Sequence, residues 1–282
     1  TTGQENVAVG ASALGSTTTG IQNVAIGRSS LLSNTAGNNT ACGHEALKAN
    51  TSGTQNVAVG ALALDANTTS NNNTAVGYNS LSVNTTGANN TAVGSIALDA
   101  NTTASDNTAL GFAAATSNTT GSALVAVGYH ALSSNTTGTY NIAVGRIALD
   151  NCTTGSQNVC MGYHAGGNIT NGSENVCIGQ DTGNTLTTGD QNTLIGDDAN
   201  TDHLDRNRAV ALGQGVSTFA LNNTGRILGD SGIYNTGNTS TWSTTSDRRL
   251  KKNIVDCTIG LDTIKQVVVR NFEYRTASEI TD

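Results

Sequence analysis

Proline is absent from this 282-residue chain, aromatic side chains make up 4% of it, and it holds one methionine and one tryptophan. So few large side chains exclude a wide globular core, and any core must be thin and filled by Ala, Val, Ile and Leu. Charged residues are 12% of the chain, and the net charge is −7. Without a basic footprint to attract phosphate, nucleic-acid binding is excluded. No apolar run has membrane-spanning length and no secretory leader is visible, so no membrane insertion is expected. The five cysteines show no Cys-x-x-Cys spacing, and neither a disulfide framework nor a metal or other cofactor is expected.

What the chain does have is a period. Glycines fall at Gly10, Gly27, Gly43, Gly60, Gly77, Gly94, Gly111, Gly128, Gly145, Gly162, Gly179, Gly196 and Gly213, always 17 apart except for one interval of 16 between Gly27 and Gly43. Most close a copy of Asn-Val/Thr-Ala-Val-Gly. Such regularity means one structural unit stacked many times. Disordered tracts have no need of it.

Within a unit, Thr91-Ala92-Val93 alternates as a short strand does, and Gly94 breaks it where the backbone turns. Ile96-Ala97-Leu98 reads as a second short strand, and Asn101-Thr102-Thr103 as a turn. A helix is excluded, because apolar positions do not recur at three and four. The expected fold is all-β, a parallel β-solenoid or β-roll of 17-residue coils. With coils about 4.8 Å apart, thirteen span roughly 60 Å. The Asn before each strand, missing only in a few units such as that of Leu124, predicts a ladder of side-chain amides.

Charge divides the chain: residues 1–245 carry 6 basic and 14 acidic side chains, residues 246–282 carry 7 and 6. The expected organisation is a repeat shaft over 1–221, a Ser/Thr-rich neck around Trp242 over 222–245, and a distinct segment over 246–282. The chain opens in mid-repeat at Thr1-Thr2-Gly3, as a piece of a longer protein would.

Several residues invite a sharper reading. Tyr78, Phe112, Tyr129 and Tyr163 share the position after the glycine with Arg28, His44 and Arg146. Such rings can contact a surface sugar or pack at a subunit interface. His130 and His164 beside them are two coils apart, too far for one metal. Asp198-x-Asn200-x-Asp202 opens like a calcium loop, but His203 and Ala209 stand where glycine and a bidentate glutamate are required, so a polar turn is expected. Cys42, Cys160 and Cys177 occupy Val or Ala positions and read as small buried hydrophobes. Asn67, Asn84, Asn101, Asn118 and Asn135 each head an Asn-x-Thr sequon, a glycosylation acceptor in a secreted eukaryotic protein and otherwise a turn. Threonine pairs in turns are poorly placed for binding ice. Asp65, Asp99 and Asp150 recur at repeat spacing, which favours a solvating role over the paired carboxylates of a polysaccharide depolymerase.

The Asn-Val-Ala-Val-Gly-x-x-Ala-Leu unit resembles the head repeat of trimeric autotransporter adhesins over about residues 3–217. The segment Ser246-Asp247-Arg248-Arg249-Leu250-Lys251-Lys252-Asn253-Ile254, with Gly260-Leu261-Asp262-Thr263-Ile264 and Phe272-Glu273-Tyr274, resembles the start of the intramolecular chaperone auto-processing domain that ends many bacteriophage tail fibres and tailspikes. That resemblance implies a homotrimer, placed in the virion, with a host cell-surface glycan or protein receptor and other tail proteins as partners. It also implies autoproteolysis between Thr245 and Ser246, with Ser246 as nucleophile and Lys251 as base. No substrate-processing activity is otherwise expected. The alternative reading is a bacterial surface adhesin of the autotransporter type, and a capsule depolymerase tailspike is the third.

Overall fold

In the computed structural model, residues 2–217 and 222–227 are described in full, together with the backbone of 233–235. Ser246, Lys251 and Trp242 lie outside the described residues. Thirteen three-residue strands, β1 (Val7–Val9) through β13 (Val210–Leu212), one per coil, form a single parallel sheet in sequence order. Equivalent residues pair without slippage, as Ala75 with Ala92 and Ala92 with Ala109. No helix occurs among the described residues. The short interval costs no register, because Ala25 still pairs with Ala41. Its missing residue is taken from the corner between Asn34 and Asn39. A further strand, β14 (Gly225–Ile227), adds a parallel rung to β13, and β15 (Ile233–Asn235) then runs antiparallel to it.

The second strand expected at Ile96-Ala97-Leu98 does not form. Those residues lie in a run of turns, with Ile96 and Leu98 left-handed at φ 53° and 50°. Alternation of left- and right-handed residues aims successive peptide groups along the stacking axis in opposite senses. The Ile96 N–H donates back to the Tyr78 carbonyl at 2.9 Å, and the Leu98 N–H donates onward to the Ala114 carbonyl at 3.0 Å. Backbone groups are thus satisfied between coils without a β ladder. A left-handed leucine costs about 1–2 kcal/mol locally. Full burial of its side chain returns about 2 kcal/mol before the inter-coil bonds are counted. The stack makes the conformation stable, and an isolated coil would not adopt it.

Each strand-end glycine is a geometric requirement. Gly94 has φ 139°, and a Cβ there would press into the Gly111 carbonyl of the next coil. Columns of the interior beside it include the central strand residue (Ala92, Ala109), an alanine three residues after the glycine (Ala97, Ala114), a leucine four after it (Leu81, Leu98), and an asparagine seven after it (Asn84, Asn101), all buried.

The asparagine before each strand forms the amide ladder that its recurrence predicts. Asn90 Oδ1 accepts the Asn107 N–H at 3.0 Å, and its Nδ2 donates to the Ala104 carbonyl at 2.9 Å. A second ladder runs through the turn asparagines. Asn101 Nδ2 donates to Asn84 Oδ1 at 2.9 Å and to the Ala104 carbonyl at 3.1 Å. The Ala104 carbonyl therefore ties both ladders together.

The sequon asparagines Asn67, Asn84, Asn101, Asn118 and Asn135 are fully buried members of this second ladder. Cys160 and Cys177 pair on adjacent rungs of the interior and are buried, as their apolar reading predicts. Cys42 differs: it sits on the outward side of its strand and is exposed.

Candidate functional site

The residue after each strand glycine leaves the sheet at a corner, so this position forms a column along the outside of the stack. All four sequence-selected rings lie in it and are exposed: Tyr78 at 55%, Phe112 at 45%, Tyr129 at 47% and Tyr163 at 44%. Their surroundings separate them. Phe112 and Tyr129 stack with centroids 5.5 Å apart and planes 15° apart. The Arg146 guanidinium carbon lies 5.4 Å from the Tyr129 centroid and 5.6 Å from that of Tyr163. His130 tilts against Tyr129 at 4.4 Å and against Phe112 at 5.6 Å.

From Phe112 to Tyr163 the column is therefore a continuous stack of rings and a guanidinium, each using its neighbour's face. Tyr78 is different. It contacts no other ring or cation among the described residues, and its column neighbours are Ala61 and Ser95.

The acidic residues have structural partners. Asp99 accepts from Ser82 Oγ at 2.5 Å, and Asp150 from Ser133 Oγ at 2.5 Å. Burial raises the Asp65 carboxyl above its ordinary range, with the nearby Glu45 charge acting in the same direction. His164 Nδ1 lies 3.0 Å from Asp181 Oδ1 and 2.9 Å from Asn184 Nδ2. At the calcium-like segment, Asn200 Nδ2 donates to Asp198 Oδ1 at 2.7 Å, and Asp202 pairs with Arg206 at 2.8 Å. These contacts close the segment on itself as a polar turn.

The outward face of the sheet is a second feature, one that sequence reasoning did not single out. Its two columns are Val7, Val24, Thr40 and their equivalents, and Val9, Ile26, Cys42 and theirs. From Val7 to Leu212 they contain only Val, Ile, Leu, Met, Cys and Thr. Val7, Val9, Ile26, Val57, Val59, Leu110, Met161, Ile195 and Val210 are among the exposed large hydrophobic residues. The signal was present in the strand alternation, where the residues flanking the inward position are apolar or Thr, and none is charged, when a solvated face calls for polar ones.

The architecture defines a parallel β-solenoid shaft. Residues 246–282 match the family model described as chaperone of endosialidase. No curated protein matches the chain. A β-solenoid followed by such an intramolecular chaperone segment is typical of bacteriophage tail fibres and tailspikes.

Proposed function

We propose that the chain is a homotrimeric shaft of a bacteriophage tail fibre or tailspike that contacts the host surface, and that its C-terminal segment guides assembly and then cuts itself away. The observation that carries this reading is the chaperone match placed after a β-solenoid. The uncharged sheet face supports self-association, since an apolar patch running through thirteen coils exceeds what monomeric proteins leave in water. Two further copies covering it would complete the core that each narrow coil lacks.

The cut falls between Thr245 and Ser246. A serine hydroxyl needs a base to act as a nucleophile, and a lysine kept neutral can serve. Ser246 Oγ attacks the Thr245 carbonyl while Lys251 takes its proton. The Thr245–Ser246 C–N bond breaks, and Lys251 returns the proton to the leaving Ser246 amine. Water then hydrolyses the Thr245 ester left on Ser246 Oγ. Release of the chaperone leaves a product whose unfolding is slow, because the element that set the register is gone. The match favours this reading over a bacterial surface adhesin. The serine-bonded Asp99 and Asp150 suit a structural role better than catalysis by a depolymerase.

The test is expression of the gene with its complete C-terminus, followed by a denaturing gel. Wild type gives a fragment beginning Ser-Asp-Arg-Arg, whereas Ser246→Ala and Lys251→Ala stay full length. Cleavage at that bond in both variants overturns the assignment.

A further inference from the structure

We infer that the notch between Tyr78 and Phe112, floored by Ser95, is a binding site for one neutral pyranose ring. This inference rests on the attachment reading above and assigns it a place on the shaft.

The molecule contains its own calibration of such a notch. Tyr129 and Tyr163 are two coils apart in the same column, and Arg146 between them lays its guanidinium against both rings at 5.4 and 5.6 Å. Tyr78 and Phe112 have the same two-coil separation, but the residue between them is Ser95. Two coils correspond to about 9.6 Å. A puckered sugar ring in carbon contact on both faces needs about 8–9 Å between the flanking aromatic planes. The spacing that accepts a tethered flat group at Arg146 carries only the short Ser95 side chain here.

The ligand class follows from what surrounds the opening. The turns of the four coils involved, residues 61–66, 78–83, 95–100 and 112–117, carry two charges, Asp65 and Asp99, and Asp99 already accepts from Ser82 Oγ. A free cation would have to compete with Ser82 for Asp99, and an anion would meet that carboxylate and a chain of net charge −7. A neutral polyhydroxylated ring meets neither penalty. Aromatic walls suit its C–H faces, and a hydroxyl on the floor can donate and accept.

Phe112 stacks one face on Tyr129, and Arg146 lies against Tyr129 and Tyr163, so the notch uses the other Phe112 face, towards Ser95 and Tyr78.

The full-length fibre is tested by saturation-transfer NMR against methyl α-glucopyranoside, methyl β-galactopyranoside and N-acetylglucosamine. At least one should receive saturation from aromatic protons. Ser95→Arg should lower its affinity at least tenfold by filling the notch as Arg146 fills its own, with the melting temperature unchanged. Tyr78→Ala should do the same, and Tyr163→Ala should stay within twofold of wild type. Transfer to none of the three sugars, transfer unaltered in Ser95→Arg, or preferential binding of N-acetylarginine amide overturns the inference. Adsorption to host cells separates the two levels. If Ser95→Arg fibres adsorb as well as wild type, the notch assignment falls and attachment stands. If wild-type fibres do not adsorb, the attachment reading itself fails.

Discussion

The middle coils and the later coils fill the same cross-section differently. Around Gly94 the interior is Ala92, Leu98 and Asn101; around Gly162 it is Cys160, Gly166 and Ile169; and around Gly179 it is Cys177, Gly183 and Leu186. Bulk leaves the leucine column and reappears in the two columns flanking it. At Gly166 the space of a leucine is occupied by Cys160 Sγ, Ile169 Cδ1 and Leu149 Cδ1, at 2.5, 3.1 and 3.4 Å from where a Cβ would stand.

The amide ladder of the turns ends one coil earlier, where Ala143 and Leu149 are still in place. Cys152 and Ile169 take the asparagine positions, and Asn135 Oδ1, facing the first of them, has no partner. Three columns thus change within two adjacent coils. What the repeat conserves is the volume and hydrogen-bond closure of the section, and no single column is indispensable.

Gly166→Leu breaks this compensation most severely. Its left-handed φ of 62° is one that leucines in this column already adopt, so the cost is overpacking against Cys160 and Ile169. A loss of about 3 kcal/mol is expected. Adding Cys160→Ala should recover most of it, and a denaturation series on the two single variants and the double variant reads the coupling. Additive losses would mean that the columns are independent.

Asn101→Ala in the middle coils should cost about 2 kcal/mol, since Asn84 Oδ1 and the Ala104 carbonyl each lose a donor and a cavity opens. The same measurement checks it, and a change under 0.5 kcal/mol would make the second ladder ornamental.

The smallest effect concerns reactivity. Burial pushes the Cys152 thiol up to about 12. The Cys160 thiol is held well above its ordinary range by the adjoining Cys177 sulfur and by burial. In a Cys257→Ser background at pH 8, iodoacetamide should leave both unmodified until the chain unfolds, because the thiolate is the reactive form. Cys42, exposed in the single chain, should react there and be protected if the proposed trimer covers its face. Mass spectrometry of tryptic peptides distinguishes these cases.

The sheet was legible because strand residues obey a two-residue alternation and a strict period. The Asn73–Asn90–Asn107 ladder was legible for the same reason. The turn side was not. Ile96-Ala97-Leu98 has strand composition, and only bonds from neighbouring coils hold its leucine left-handed. Asn101 looked like a solvated turn residue because its type favours turns, although its side chain points inward to a partner seventeen residues away. The aromatic column could be placed from spacing alone. Which faces stay free depended on the identities of Ser95 and Arg146, read as neighbours along the stack. The roles given to Ser246 and Lys251 rest on the resemblance of their segment, and both lie outside the described residues.

The buried sequons bear on where this protein can be made. Asn67, Asn84, Asn101, Asn118 and Asn135 spend their amide nitrogens inside a filled section. An oligosaccharide attached to any of these nitrogens would remove a donor and demand room that the stacked coils do not have. A secretory route that decorates such sequons before folding would leave a chain unable to close. Successful manufacture therefore calls for a cytoplasm lacking that machinery.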